Sequence, residues 1–160
     1  MKAIAAFSAP RAQGFTLIEL MTAVVIAAIL LSIAIPSYKA QTQKSRRTEA
    51  KAALLDLASR EERFNSTNSS YTSALANLGY SGTTWPLKVG SGYYQISVCV
   101  NTTTACTADA GTGQAYLLTA QPVPGGSQAS DTQCGSFTLD NTGMQNVTGT
   151  SAATPSSCWN

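Results

Sequence analysis

The alternation of apolar and polar positions divides the chain into three stretches of different character. From residue 15 to residue 35 it is almost wholly apolar, with Glu19 the one charge and neither Gly nor Pro inside. These twenty-one residues, at a helical rise of about 1.5 Å, reach roughly 32 Å, enough to cross the hydrocarbon core of a bilayer. A membrane helix is therefore expected. Pro36 follows; lacking a backbone N–H, it predicts a kink or local weakening of the helix. Beyond it Ala50, Leu54, Leu57 and Phe64, with Ala53 and Ala58 beside them, recur at intervals of three, four and seven. Glu49, Asp56, Glu61 and Glu62 interleave with Lys51, Arg60 and Arg63 on the rest of the surface, which predicts an amphipathic helix of about four turns. Its apolar stripe requires a cover, and the remaining chain predicts a sheet to supply it. Residues 65–70 (NSTNSS) compete for backbone hydrogen bonds and end the helix. Residues 71–92 read as a connector with a short helix near 73–78. Strands are expected at 94–100, where apolar and polar residues alternate, at 115–120, and at 136–140 and 143–147, which flank the turn Asp140-Asn141-Thr142-Gly143. Four antiparallel strands laid across one long helix make an α+β fold.

Composition narrows the chemistry. Among 160 residues only 11% are charged and none is His, which excludes His-based metal sites and triads. There is no nucleophile–base pair and no phosphate loop, so an enzyme is not expected, nor a cofactor. The four cysteines, Cys99, Cys106, Cys134 and Cys158, fit two disulfides in an oxidising compartment; no C-x2-C spacing points to zinc. Three pairings are open. Cys99 lies on the opposite face of its strand from Ile96, Val98 and Val100, toward the following loop, which favours Cys99–Cys106 and leaves Cys134–Cys158. Beyond residue 64 the charges are Lys88 against Asp109, Asp131 and Asp140, 1 − 3 = −2, a poor footprint for a nucleic acid backbone. Lys39, Lys44, Arg46 and Arg47 form a basic cluster just past the apolar run, read either as a contact for anionic lipid or acidic neighbours or as a solvated helix face. Glu19 stands out, because a charge within a membrane costs at least ~2.5–3.5 kcal/mol and marks function by default.

The run Gly14-Phe15-Thr16-Leu17-Ile18-Glu19 resembles the prepilin cleavage and methylation motif of type IV pilins and type II secretion pseudopilins. The resemblance implies that a prepilin peptidase/methyltransferase cuts after Gly14 and N-methylates Phe15, and that Glu19 is needed for assembly. Residues 1–14 are then a leader held in the cytoplasm by Lys2 and Arg11, although Gln13 stands where the family usually has a basic residue. Residues 15–36 become a transmembrane and assembly helix, 37–66 a stalk helix packed on the head, and 67–160 a disulfide-bonded β head. Residues 93–98, 116–122, 131–135 and 137–143 further resemble the PilE-like branch of the type IVa pilins. By that resemblance the chain is a structural subunit, major or minor, of a pilus serving adhesion, twitching motility or DNA uptake. Its partners would be other pilin subunits and an inner-membrane assembly platform. It would sit in the inner membrane with a periplasmic head, and outside the cell once assembled. A type II secretion pseudopilin is the first alternative, disfavoured by the cysteines and the few head carboxylates. A DNA-binding minor pilin is the second, disfavoured by the head's charge. No Lys or Arg lies between Arg11 and Lys39, so the cation that answers Glu19 is expected to be the amine of Phe15 on a neighbouring subunit.

Overall fold

The computed structural model describes residues 14–82, 84–101 and 111–160. The chain divides after Ala40 into two compact units. The first holds the apolar half of α1 (Leu17–Asn68), a helix long and apolar enough to cross a membrane. Every residue of it from Leu17 to Ala40 is exposed, so none of its apolar side chains is buried within its own unit. Pro36 lies inside α1, which continues through it as one helix. At its other end Ser69, with φ 54°, adopts the left-handed conformation that closes helices, and its N–H bonds to the carbonyl of Asn65 at 2.8 Å. The helix thus runs two residues past the expected 66.

The second unit, Gln41 to Asn160, is built on the amphipathic half of α1. The remaining elements are β1 (Tyr71–Thr72), β2 (Leu87–Val89), β3 (Tyr94–Val100), β4 (Thr112–Gly113), β5 (Tyr116–Pro122), a 3-10 turn at Ser127–Ser130, β6 (Phe137–Asp140), β7 (Gln145–Val147) and α2 (Ser156–Trp159). An antiparallel sheet runs β2-β3-β5-β6-β7, and β1 pairs with β4 in a separate two-stranded ribbon. All four expected strands are present. Three further strands arise from segments too short to show periodicity. β2 has three residues and pairs Leu87 with Ile96, Lys88 with Gln95 and Val89 with Tyr94. β1 and β4 have two residues each, paired Tyr71 with Gly113 and Thr72 with Thr112. The helix expected near 73–78 is instead a series of tight turns, with Asn77, Leu78 and Gly79 N–H groups bonding three residues back.

The alternation read in β3 is what fills the core. Tyr94, Ile96, Val98 and Val100 point inward with Tyr116, Leu118 and Ala120 of β5 and Phe137 and Leu139 of β6. Ala50, Leu54 and Leu57 join them from α1, all fully buried; a Leu so placed contributes roughly 1.5–3 kcal/mol by leaving water. Phe64, Ala53 and Ala58 pack at the margin. Glu61, read as part of the polar surface, lies instead on this buried stripe between Leu57 and Phe64 and is fully enclosed. At the β7 edge the indole N–H of Trp159 donates to the carbonyl of Asn146 at 3.1 Å, so α2 partly closes that side.

Candidate functional site

In the first unit the chemistry gathers at the start of α1. Phe15 is 85% exposed. The side-chain oxygen of Thr16 accepts the Glu19 N–H at 3.3 Å, and the Leu20 N–H bonds to the Thr16 carbonyl at 3.2 Å. Thr16 is therefore the N-cap, which places Glu19 in the first turn, where the helix dipole favours an anion. The spacing Thr-x-x-Glu is also that of a capping pair, a signal present in the sequence that gives Glu19 a local role beside the assembly one. A Cβ built on Gly14 meets nothing within 4 Å, so no crowding in this structure calls for glycine there.

In the second unit two of the four clustered cations have fixed partners. Arg47 grips Asp131 with two bonds of 2.7 Å and reaches the Gln133 side chain at 3.1 Å. Asp131 is sealed in, receiving Gln128 Nε2 at 3.0 Å and the Cys134 N–H at 3.3 Å. Arg46 stacks 3.7 Å over the Tyr93 ring and donates to the Ser127 hydroxyl at 2.9 Å. These two arginines clamp the 127–134 segment to the helix, while Lys44 stays exposed. A cavity of about 420 Å³ opens between Lys44, Arg47, Thr48 and Lys51 on one side and Ser157, Cys158 and Asn160 on the other. Lys51 Nζ donates to the Trp159 carbonyl at 3.0 Å; burial, then the charges of Lys44 and Arg47, holds its pKa below the ordinary value.

Cys134 and Cys158 form a disulfide, as expected, closing 24 residues of chain against the β6 end of the sheet. Cys99 is disulfide-bonded and buried. The expected Cys99–Cys106 pairing falls on Cys106, outside the described residues. Among the described residues no group of three or more His, Cys, Asp or Glu could hold a metal ion. Near the far end of α1, Glu62 accepts from the Tyr71 and Tyr116 hydroxyls at 3.1 and 3.4 Å, and the neighbouring Glu61 accepts the Thr72 N–H at 3.1 Å.

Residues 36–138 match the family described as "Type IV minor pilin ComP, DNA uptake sequence receptor", and residues 10–35 match the prokaryotic N-terminal methylation motif. The chain belongs to this family of type IV pilins. The pilin is 39% identical over 71 residues to the type IV major pilin protein PilA of Myxococcus xanthus, across 44% of this chain and 32% of that one. It is 40% identical over 75 residues to the type IV wide pilus major component PilA4 of Thermus thermophilus, across 45% of this chain and 57% of that one. The match thus spans about a third of one curated relative and rather more than half of the other. The methylation motif lies at the start of α1, whose apolar stretch is long enough to cross a membrane.

Proposed function

We propose that this pilin is cut after Gly14 by a prepilin peptidase, methylated on the new amine of Phe15, and raised from the inner membrane into a pilus by an assembly platform. The observation that carries this reading is the Gly14–Glu19 motif at the head of an exposed apolar helix. Such a surface cannot stay in water, and it has two covers available in turn: lipid before assembly and the helices of other subunits afterwards. Glu19 then acts as the latch. A carboxylate in an apolar bundle is costly until a cation meets it, and cleavage creates one at Phe15 of the neighbouring subunit. Pairing the two removes both penalties and sets the axial stagger between subunits. The filament so built would serve adhesion or twitching motility. The test is Glu19→Ala. The protein should be processed and inserted normally, while its amount in sheared pili falls at least about tenfold. Wild-type amounts in the sheared fraction would rule the latch out.

The family's description favours a second reading, a receptor for DNA uptake sequences. The charge of the head beyond residue 64 opposes it. Arg47 is neutralised by Asp131 and Arg60 by Asp56, and beyond residue 64 the net charge is −2 (Lys88 against Asp109, Asp131 and Asp140, 1 − 3). We therefore expect no salt-dependent binding of labelled DNA duplexes by the full chain in fluorescence anisotropy. Low-micromolar binding that weakens steeply with salt would favour the receptor instead.

A further inference from the structure

Glu61 is fully enclosed in the core, and among the described residues no cation pairs with it. One carboxyl oxygen, Oε2, accepts the Thr72 N–H; the other, Oε1, is buried with no partner. Thr72 belongs to the ribbon of β1 and β4. Next to it the Ser73 N–H bonds to the Gly111 carbonyl at 3.0 Å, and the Gly111 N–H returns to the Ser73 hydroxyl at 2.9 Å. The Glu61 carboxyl thus holds the backbone of the ribbon to the helix, beside the Tyr71 hydroxyl, which donates to Glu62 at 3.1 Å. The titratable groups around it are Glu62 on the same helix, Tyr71 from β1 and Tyr116 from β5. None is a cation. An ionised Glu61 would hold an uncompensated charge in an apolar core beside a second carboxylate, whereas the neutral acid loses that penalty and keeps its bond to Thr72.

We propose that Glu61 is a proton-operated latch that keeps the β1–β4 ribbon seated on the head when protonated and releases it when ionised. Burial pushes the Glu61 carboxyl up to about 7, with Thr72 drawing it down and Glu62 adding to the rise. Burial and Glu62 also raise the Tyr71 and Tyr116 hydroxyls, which stay neutral throughout. The chain has no His, and no cysteine is free. Glu61 is thus a side chain placed to change charge near neutral pH. Because its folded value lies above the ordinary carboxyl value, the hold is complete in acid and fades as pH rises through about 7.

The test is amide hydrogen exchange on the full chain in detergent micelles, corrected for the intrinsic pH dependence of exchange. Protection of the Thr72, Ser73 and Gly111 amides should fall about tenfold or more between pH 5.5 and 8, while Val98 and Leu118 keep theirs. Glu61→Gln, neutral and of the same shape, should abolish the fall. A ribbon equally protected at both pH values overturns the latch, as does a fall retained in Glu61→Gln. A loss shared equally by Val98 and Leu118 overturns it too, since that reports global unfolding. Should the variant fail to fold, the carbon-13 shift of the Glu61 carboxyl decides in the wild-type chain. Its midpoint must coincide with the pH at which the protection loss levels off, and a separation of more than about one pH unit refutes the proposal.

Discussion

The guanidinium of Arg47 meets both oxygens of an Asp131 carboxylate whose side chain is 1% exposed. Two parallel charge-assisted bonds fix both direction and distance, a geometry that lysine cannot reproduce. Removing the guanidinium leaves the carboxylate buried with only the Gln128 amide and the Cys134 N–H to answer it. Arg47→Ala is therefore expected to destabilise the head by roughly 3 kcal/mol, the scale for breaking a buried pair. Lys44→Ala, one helical turn earlier and exposed, should cost less than about 0.5 kcal/mol. Urea unfolding of the two variants followed by circular dichroism checks the contrast, and equal midpoints would contradict it. Gly90 shows the same dependence on a single atom. At φ 52° it turns the chain between β2 and β3, and a Cβ there would lie 2.6 Å from a Glu49 carboxylate oxygen that accepts the Ser91 N–H at 3.0 Å. The backbone at that turn calls for glycine, and a Cβ there would in addition displace the Glu49 carboxylate from Ser91.

The C-terminal strap shows how a weak element is held by a covalent one. α2 has four residues, too few to be stable alone, and the segment before it is a succession of turns: Ala152 bonds back to Gly149 and Thr154 to Ser151. Three attachments keep it on the sheet: Lys51 beneath the Trp159 carbonyl, the Trp159 indole on Asn146, and the Cys134–Cys158 bridge. By restraining 24 residues in the unfolded chain, the bridge contributes about 3–4 kcal/mol on the chain-entropy model. Cys134→Ser should lower the thermal midpoint by roughly 10 °C or more and reduce the amount of pilin recovered from cells. The same substitution at Cys99 should do less, because its expected partner is much nearer in sequence. Differential scanning fluorimetry on both variants orders them, and a larger loss at Cys99 would reverse this account.

At the scale of the molecule, the two units answer to different solvents. The head buries its own apolar face, whereas the helix from Leu17 to Ala40 buries none of its apolar side chains and depends on a cover from outside. Processing should be separable from folding for this reason. Since a Cβ at Gly14 meets nothing, Gly14→Val should leave head stability unchanged and block the cut, because a peptidase that approaches the backbone closely rejects a branched side chain. Intact-mass measurement should find the wild-type chain starting at a methylated Phe15 and the variant retaining residues 1–14. A fully processed variant would show that Gly14 is not the cleavage determinant.

What the sequence by itself determined is whatever has a period or a fixed spacing. The apolar run, the stripe through Ala50, Leu54 and Leu57, the alternation along β3 and the Gly14–Glu19 motif are each local repetitions of one physical requirement. The Cys134–Cys158 pairing was legible for a related reason, since strand parity sent Cys99 elsewhere. Tertiary structure alone decided what depends on partners distant in the chain. The strands β1, β2 and β4 exist because a neighbouring backbone offers hydrogen bonds, not because two or three residues prefer to be extended. Arg47 could not be told from Lys44 until Asp131, 84 residues away, chose between them. Glu61 was set among the polar positions by its charge, although its place between Leu57 and Phe64 is that of the buried stripe. Sequence pattern assigns a carboxylate to water by default, and only the packed head shows that the stripe passes through it.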